Sequence, residues 1–191
     1  TTHISIIDNE GNAVAVTTTL NDSYGSRVVV SGAGFILNNQ MDDFSIKEGY
    51  PNLYGAVGNA ANAIAANKRM LSSMTPSIVL KNNQPYIIAG SPGGTTITTT
   101  VFQTLLNILE FGLSPEDAVN KPKFHHQWLP DIIHTESSFP VSVTDQLKQM
   151  GYTVTPRLPI GRTELIVVNK SHAKKITAIA DSRGDDDAEG Y

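Results

Sequence analysis

A chain of 191 residues, 40% apolar and 17% charged, is long enough to bury one sizeable core. Its net charge of −4 offers no basic field to a polyanion, which excludes nucleic acid as the expected partner. No stretch approaches the roughly 18 apolar residues needed to cross a bilayer, and the absence of cysteine removes disulfide and thiol chemistry.

The first element is a hairpin. Ile4 and Ile6 alternate with Ser5 and Ile7, the cluster Asp8-Asn9-Glu10-Gly11-Asn12 is turn chemistry, and Val14 and Val16 alternate before a run of threonines. A returning second strand brings Thr17, Thr18 or Thr19 beside the first residue. Val28 to Val30 and Gly34 to Leu37 are further short strand candidates, followed by "NNQMDDF". The segment from Ser45 to Lys68, rich in Gly, Asn and Ala with weak periodicity, is expected to be a long surface loop, and such loops are usually functional or disordered. "PSIVL" and "PYIIAG" flank Lys81-Asn82-Asn83-Gln84 as a second hairpin, and "SPGG" follows.

From Thr95, Ile97, Val101, Leu105 and Ile108 fall on helical spacing, predicting about four turns of helix that Gly112 ends. Ser114-Pro115-Glu116-Asp117 has the N-cap, first-turn proline and early acids of a short helix. "VTDQLKQMG" predicts another. Strands are expected again at Thr153 to Val154, Glu164 to Val168 and Ile176 to Ala180, before the acidic tail "DSRGDDDAEGY". With no repeat and no linker, residues 1–191 are expected to form one α+β domain.

Thr1 stands where an initiator methionine would, so the chain is expected to have been cut, by deliberate truncation, by a protease or by itself. A threonine in first position can carry nucleophile and base on one residue, because a free α-amino group can accept the hydroxyl proton. "GSPGG" sets two glycines between a strand and a helix, where unobstructed backbone N–H groups near the helix's positive end suit an oxyanion; a simple tight turn is the plainer alternative. Gln40, Asp42 and Asp43 suit a cationic amine or a solvated turn, and "LSSMTP" offers two hydroxyls to a carboxylate or is only a loop. "KFHHQWLP" has adjacent histidines but no third ligand at a recognisable spacing, so packing or hydrogen bonding is expected there rather than zinc.

Taken in order, "TTH", "NAVAVTTTLN", "NNQMDDF", "LSSM.P", "GSPGG", "FHHQWLP" and the closing "D.R.DD.A.GY" closely resemble the small subunit of γ-glutamyltranspeptidase, an N-terminal nucleophile hydrolase, over essentially the whole chain. The resemblance implies a four-layer αββα sandwich completed by a large subunit from the same precursor, in a heterodimer or a dimer of heterodimers. It also implies self-cleavage before Thr1, no cofactor or metal, and a periplasmic or secreted location. Among the residues, it implies that Thr1 is the nucleophile for γ-glutamyl amides such as glutathione and that Thr19 orients it. Asn21, Gln40 and Asp43 would hold the substrate ammonium, Ser72 and Ser73 its α-carboxylate, and Gly93 and Gly94 the oxyanion. Tyr54 would belong to a lid within about residues 45–68. The ester would pass to water or to an amine. Weighed beside this are a family branch acting on poly-γ-glutamate or a β-lactam side chain, and an inactive relative that binds glutamate or glutathione without turnover.

Overall fold

Alternation along the first twenty residues produces strands β1 (Thr2–Ile7) and β2 (Ala13–Thr18), an antiparallel pair with Thr2 opposite Thr18. The Asp8 carboxylate closes the turn by accepting from the Glu10 and Asn12 backbone N–H groups at 2.9 and 2.8 Å. The computed structural model describes residues 1–169 and 175–190.

Strands β3 (Ser77–Lys81) and β4 (Gln84–Gly90) form the second expected hairpin. Its two linking residues, Asn82 and Asn83, have φ of 53° and 57°, the left-handed pair that a two-residue turn of matching twist requires. Later in the chain come β5 (Phe124–His125), β6 (Ile133–Glu136), β7 (Val154–Arg157), β8 (Glu164–Asn169) and β9 (Lys175–Ile179). Strands β3, β4, β8 and β9 make a four-stranded antiparallel sheet in the order β3-β4-β8-β9.

Both faces of β4 and β8 are apolar, and each finds a cover. On one side α1 (Thr96–Leu109) and α2 (Pro115–Asn120) bury Ile108, Ala118 and Val119 against Ile87, Ala89, Leu165 and Val167. On the other, Ile88, Ile166 and Val168 pack on Ile7, Ala13 and Ala15 of the first hairpin. Each fully buried isoleucine contributes roughly 1.5–3 kcal/mol by transfer from water. The order is helices, sheet, hairpin, an α+β arrangement in three of the four expected layers. Beyond the hairpin, Ile4, Ile6, Val14 and Val16 remain 43–51% exposed.

A smaller sheet, β5-β6-β7, is joined through α3 (Val141–Gln149), with β6 and β7 parallel. Strands β5 and β6 were not foreseen, and β5 has only two residues, too few for any periodicity. The strand candidates at Val28 to Val30 and Gly34 to Leu37 are instead held by a single bridge, from the exposed Val29 to the half-buried Ile36. The 45–68 segment is an ordered loop with a 3-10 turn at Ala60–Asn62 and bridges Ser45 to Ala63 and Pro51 to Val57. Ser114 caps α2 as expected by accepting from the Asp117 N–H at 3.1 Å.

The tail is not simply a solvated acidic run. Arg183 grips both oxygens of Glu136 at 2.7 Å, meets Asp181 at 2.9 Å, and donates to the carbonyls of Val119, Asn120 and Lys121 that end α2. Asp181 is 1% exposed and also approaches the buried Lys123 Nζ at 3.4 Å. Burial alone would push the Glu136 carboxyl up, but hydrogen bonds from Arg183 and from the Ile160 and Lys123 backbones outweigh it and hold it below the usual range. Tyr191, the last residue of the tail, lies outside the described residues.

Candidate active site

The register of the first hairpin fixes the centre. Because Thr2 faces Thr18, the next residue on each strand also comes opposite, and Thr1 Oγ1 lies 2.7 Å from Thr19 Oγ1. Thr19 Oγ1 also accepts from the Asn21 backbone N–H at 2.9 Å, which holds its hydroxyl in place beside Thr1. Asn21 turns the chain at a φ of 76°, a left-handed conformation that asparagine tolerates. Its carbonyl accepts from the Tyr54 hydroxyl at 2.6 Å. Burial, with Asp22, Asp43 and Asp42 nearby, raises the Tyr54 pKa and so keeps the phenol protonated as the donor.

The Tyr54 ring lies on Gly94. A Cβ at Gly94 would sit 2.9 Å from two ring carbons, and its φ of 59° also favours glycine. The Gly94 carbonyl accepts from Ser73 Oγ at 3.0 Å. An unbroken series of contacts therefore joins Thr1, Thr19, Asn21, Tyr54, Gly94 and Ser73.

Gly93 and Gly94 lie between β4 and α1, the strand-to-helix turn expected of them. Thr96 Oγ1 donates to the Gly93 carbonyl at 2.8 Å, and a side chain on Gly93 would strike that hydroxyl at 2.5 Å. Among the described residues neither glycine's backbone N–H donates to a protein acceptor. The turn is supported from behind, where Ser91 Oγ accepts from the Arg162 N–H at 2.9 Å and Gly161 packs against Gly93.

Gln40 and Asp43 bound a 3-10 turn, Gln40–Asp43, that Asn39 ties to the site. Asn39 N–H donates to Leu20 O at 3.0 Å, its side-chain oxygen accepts from Asp22 N–H at 2.9 Å, and its carbonyl accepts from Asn21 Nδ2 at 3.3 Å. Partial burial and then the neighbouring Asp42 raise the Asp43 pKa, a cost that a cation placed beside it would remove. Ser72 is exposed and accepts from the Met74 N–H at 3.2 Å. Among the described residues no hydrogen bond joins the side chains of Gln40, Asp43 or Ser72 to that contact series.

The paired histidines point to different partners. His126 Nε2 meets Asp131 at 2.9 Å, whereas His125 is buried between Thr99 and Gln127 at 2.8 and 2.9 Å. No group of three potential ligands able to hold a metal occurs among the described residues. His3, whose ring lies against Gly90, bonds Thr17 at 2.7 Å and Ser5 at 3.1 Å, and burial lowers its pKa to about 4. Sequence reasoning gave no role to His3 or Gln127, although Gln127 lies inside a motif it singled out.

Residues 1–191 match the model of the family described as Gamma-glutamyltranspeptidase. The glutathione hydrolase proenzyme of Escherichia coli (strain K12) is 49% identical over 168 residues, 88% of this chain and 29% of its own length. The chain therefore spans less than a third of that curated relative. The T380A mutant of the Helicobacter pylori gamma-glutamyltranspeptidase superposes with a TM-score of 0.93 at 49% identity, covering 96% of this chain and 100% of that one. An acivicin-inhibited gamma-glutamyltranspeptidase gives 0.92 at 50% identity, covering 97% and 100%.

Proposed function

Since the chain belongs to the gamma-glutamyltranspeptidase family, we propose that it carries the nucleophile of an enzyme that transfers γ-glutamyl groups to amines or to water, with glutathione among its donors. The carrying observation is the Thr1 to Thr19 contact at 2.7 Å, continued through Asn21 and Tyr54 to the Gly93-Gly94 turn.

In this reading Thr1 becomes the first residue when a precursor is cleaved before it. Its Oγ forms a bond to the γ-glutamyl carbonyl carbon while its α-amine takes the hydroxyl proton. The resulting oxyanion meets the N–H groups of Gly93 and Gly94 at the start of α1. Collapse breaks the C–N bond, the leaving amine takes the proton, and an ester remains on Thr1. Water or another amine then attacks that ester, and Thr1 regains its hydroxyl.

Asp43, with Asn21 and Gln40, receives the substrate ammonium, whose charge offsets the burial and the neighbouring Asp42 that raise the Asp43 pKa. Ser72 and Ser73 donate to the α-carboxylate, with Tyr54 and the 45–68 loop forming a lid. Holding both α-groups places the scissile bond at the far end of the glutamyl side chain, the reason for γ specificity. A large subunit covers Ile4, Ile6, Val14 and Val16, the apolar face that this chain leaves bare. The E. coli relative's being a proenzyme of more than three times the matched length agrees with that partner. A periplasmic or secreted location goes with the resemblance to bacterial members.

Release of p-nitroaniline from γ-glutamyl-p-nitroanilide, compared with the α-linked isomer, tests the proposal in the assembled protein. Turnover confined to the γ isomer is expected. Equal turnover of both, or of neither, contradicts it.

A further inference from the structure

The "HHQWLP" motif takes no part in the chemistry above, yet its glutamine touches the residue that covers the oxyanion turn. Gln127 Nε2 donates to the Tyr54 carbonyl and to the Leu129 carbonyl, both at 3.3 Å. Those two acceptors fix which way the amide faces. Its oxygen then accepts from Thr95 Oγ1 at 2.8 Å and from His125 Nε2 at 2.9 Å.

His125 completes the device. To donate through Nε2 the ring must carry its proton there, and Nδ1 then faces Thr99 Oγ1 at 2.8 Å, whose one proton it shares with the Thr96 carbonyl at 3.0 Å. Burial lowers the His125 pKa, which keeps the ring in that neutral form. Thr95 and Thr99 belong to the start of α1, immediately after Gly93-Gly94. Gln127 therefore bridges the first turn of α1 to the backbone of Tyr54.

Tyr54 is accordingly held at four points: its hydroxyl on Asn21 O, its ring on Gly94, its carbonyl on Gln127 and, within its own loop, its N–H on Asn52 Oδ1 at 3.0 Å. The first two lie within the site, and the third comes from outside it. We propose that Gln127 is a positioning residue, a latch that keeps the Tyr54 ring seated on the oxyanion turn and so sets how the γ-glutamyl ester divides between water and an amine acceptor. This rests on the γ-glutamyl reading above. A seated ring excludes water from Gly94, whereas a loosened one admits it and shifts the ester toward hydrolysis.

Gln127→Glu is the discriminating variant. One carboxylate oxygen still accepts from Thr95 and His125, but the other cannot donate to the Tyr54 carbonyl and repels it. The readout is the ratio of transfer to hydrolysis with γ-glutamyl-p-nitroanilide and glycylglycine, which does not depend on how much protein is correctly folded. The ratio is expected to fall roughly fivefold, the scale of one hydrogen bond. In a Tyr54→Ala background the latch holds no ring, and the same change should add nothing.

Amide hydrogen exchange over residues 52–56 reads the latch without turnover and should quicken in Gln127→Glu, with β4 and β8 unaltered. Unchanged exchange overturns the latch whatever the activity. Faster exchange with an unchanged ratio, or additive effects of the two substitutions, overturns its control of partition. If the unsubstituted enzyme forms no γ-glutamyl ester, the γ-glutamyl reading fails, while exchange still decides whether the latch exists.

Discussion

Two apolar surfaces of this molecule were written by the same strand code and met different fates. On the four-stranded sheet Ile87, Ala89, Leu165 and Val167 alternate toward α1 and α2 and are at most 6% exposed. On the first hairpin Ile4, Ile6, Val14 and Val16 alternate just as regularly but stay 43–51% exposed. A period of two says which side chains share a face; it cannot say whether the cover for that face is in the same chain. The proposed nucleophile precedes the hairpin with the bare face. Its placement therefore depends on an incomplete layer, while the Gly93-Gly94 turn leads into a covered helix.

Removing the polar nail on the covered side should have the largest effect on folding. Arg183→Ala strands Glu136 and Asp181, 7% and 0% exposed in their side chains, without their guanidinium. A loss of about 3–5 kcal/mol is expected from breaking such a buried cluster, measured as a fall in the urea midpoint of the assembled protein. Only a surface-sized change would show that Lys123 and the backbone donors suffice.

Next come matched truncations of the two faces. Ile88→Ala, in the closed interface between sheet and hairpin, should cost about 2–5 kcal/mol. Ile6→Ala, on the open face, should change this chain's own stability by under about 1 kcal/mol while weakening retention of the proposed partner subunit on size exclusion. Equal effects of the two on folding alone would erase the distinction between the faces.

A pH dependence is also expected from the hairpin's inner side. His3 has a folded pKa of about 4 against an ordinary 6.5, so between these values the unfolded chain binds more protons. Its contribution is full above pH 6.5 and is lost as pH falls toward 4. Urea midpoints across that window should decline, and His3→Gln should flatten the decline. An unaltered slope would remove His3 as its source.

The hairpins, α1, α2 and α3 were legible because turn residues and periodicity coincide in each. The return strand brought Thr17, Thr18 or Thr19 within reach of Thr1, and the resemblance singled out Thr19, whose hydroxyl lies 2.7 Å from that of Thr1. The resemblance, rather than spacing, nominated Asn21, Tyr54, Ser73 and Gly94, which the structure brings into one contact series. Other features had no local signal. Gln127 reaches Tyr54 across 73 residues, and Asp181 and Arg183 sit in a run of acids whose composition suggests solvent although Asp181 is buried and the Arg183 side chain is only 10% exposed. Val28 to Val30 had strand character without a surface to pack on, which is why only a single bridge formed.

The central claim is that the Thr1 hydroxyl forms the covalent bond to the glutamyl group. It is tested most directly by quenching the assembled enzyme during turnover of γ-glutamyl-p-nitroanilide and mapping adducts by peptide mass spectrometry. One γ-glutamyl group esterified to Thr1, absent when Thr1 is replaced by alanine in the matured protein, is the predicted result. An adduct on another residue, or turnover that survives the replacement, would contradict the account.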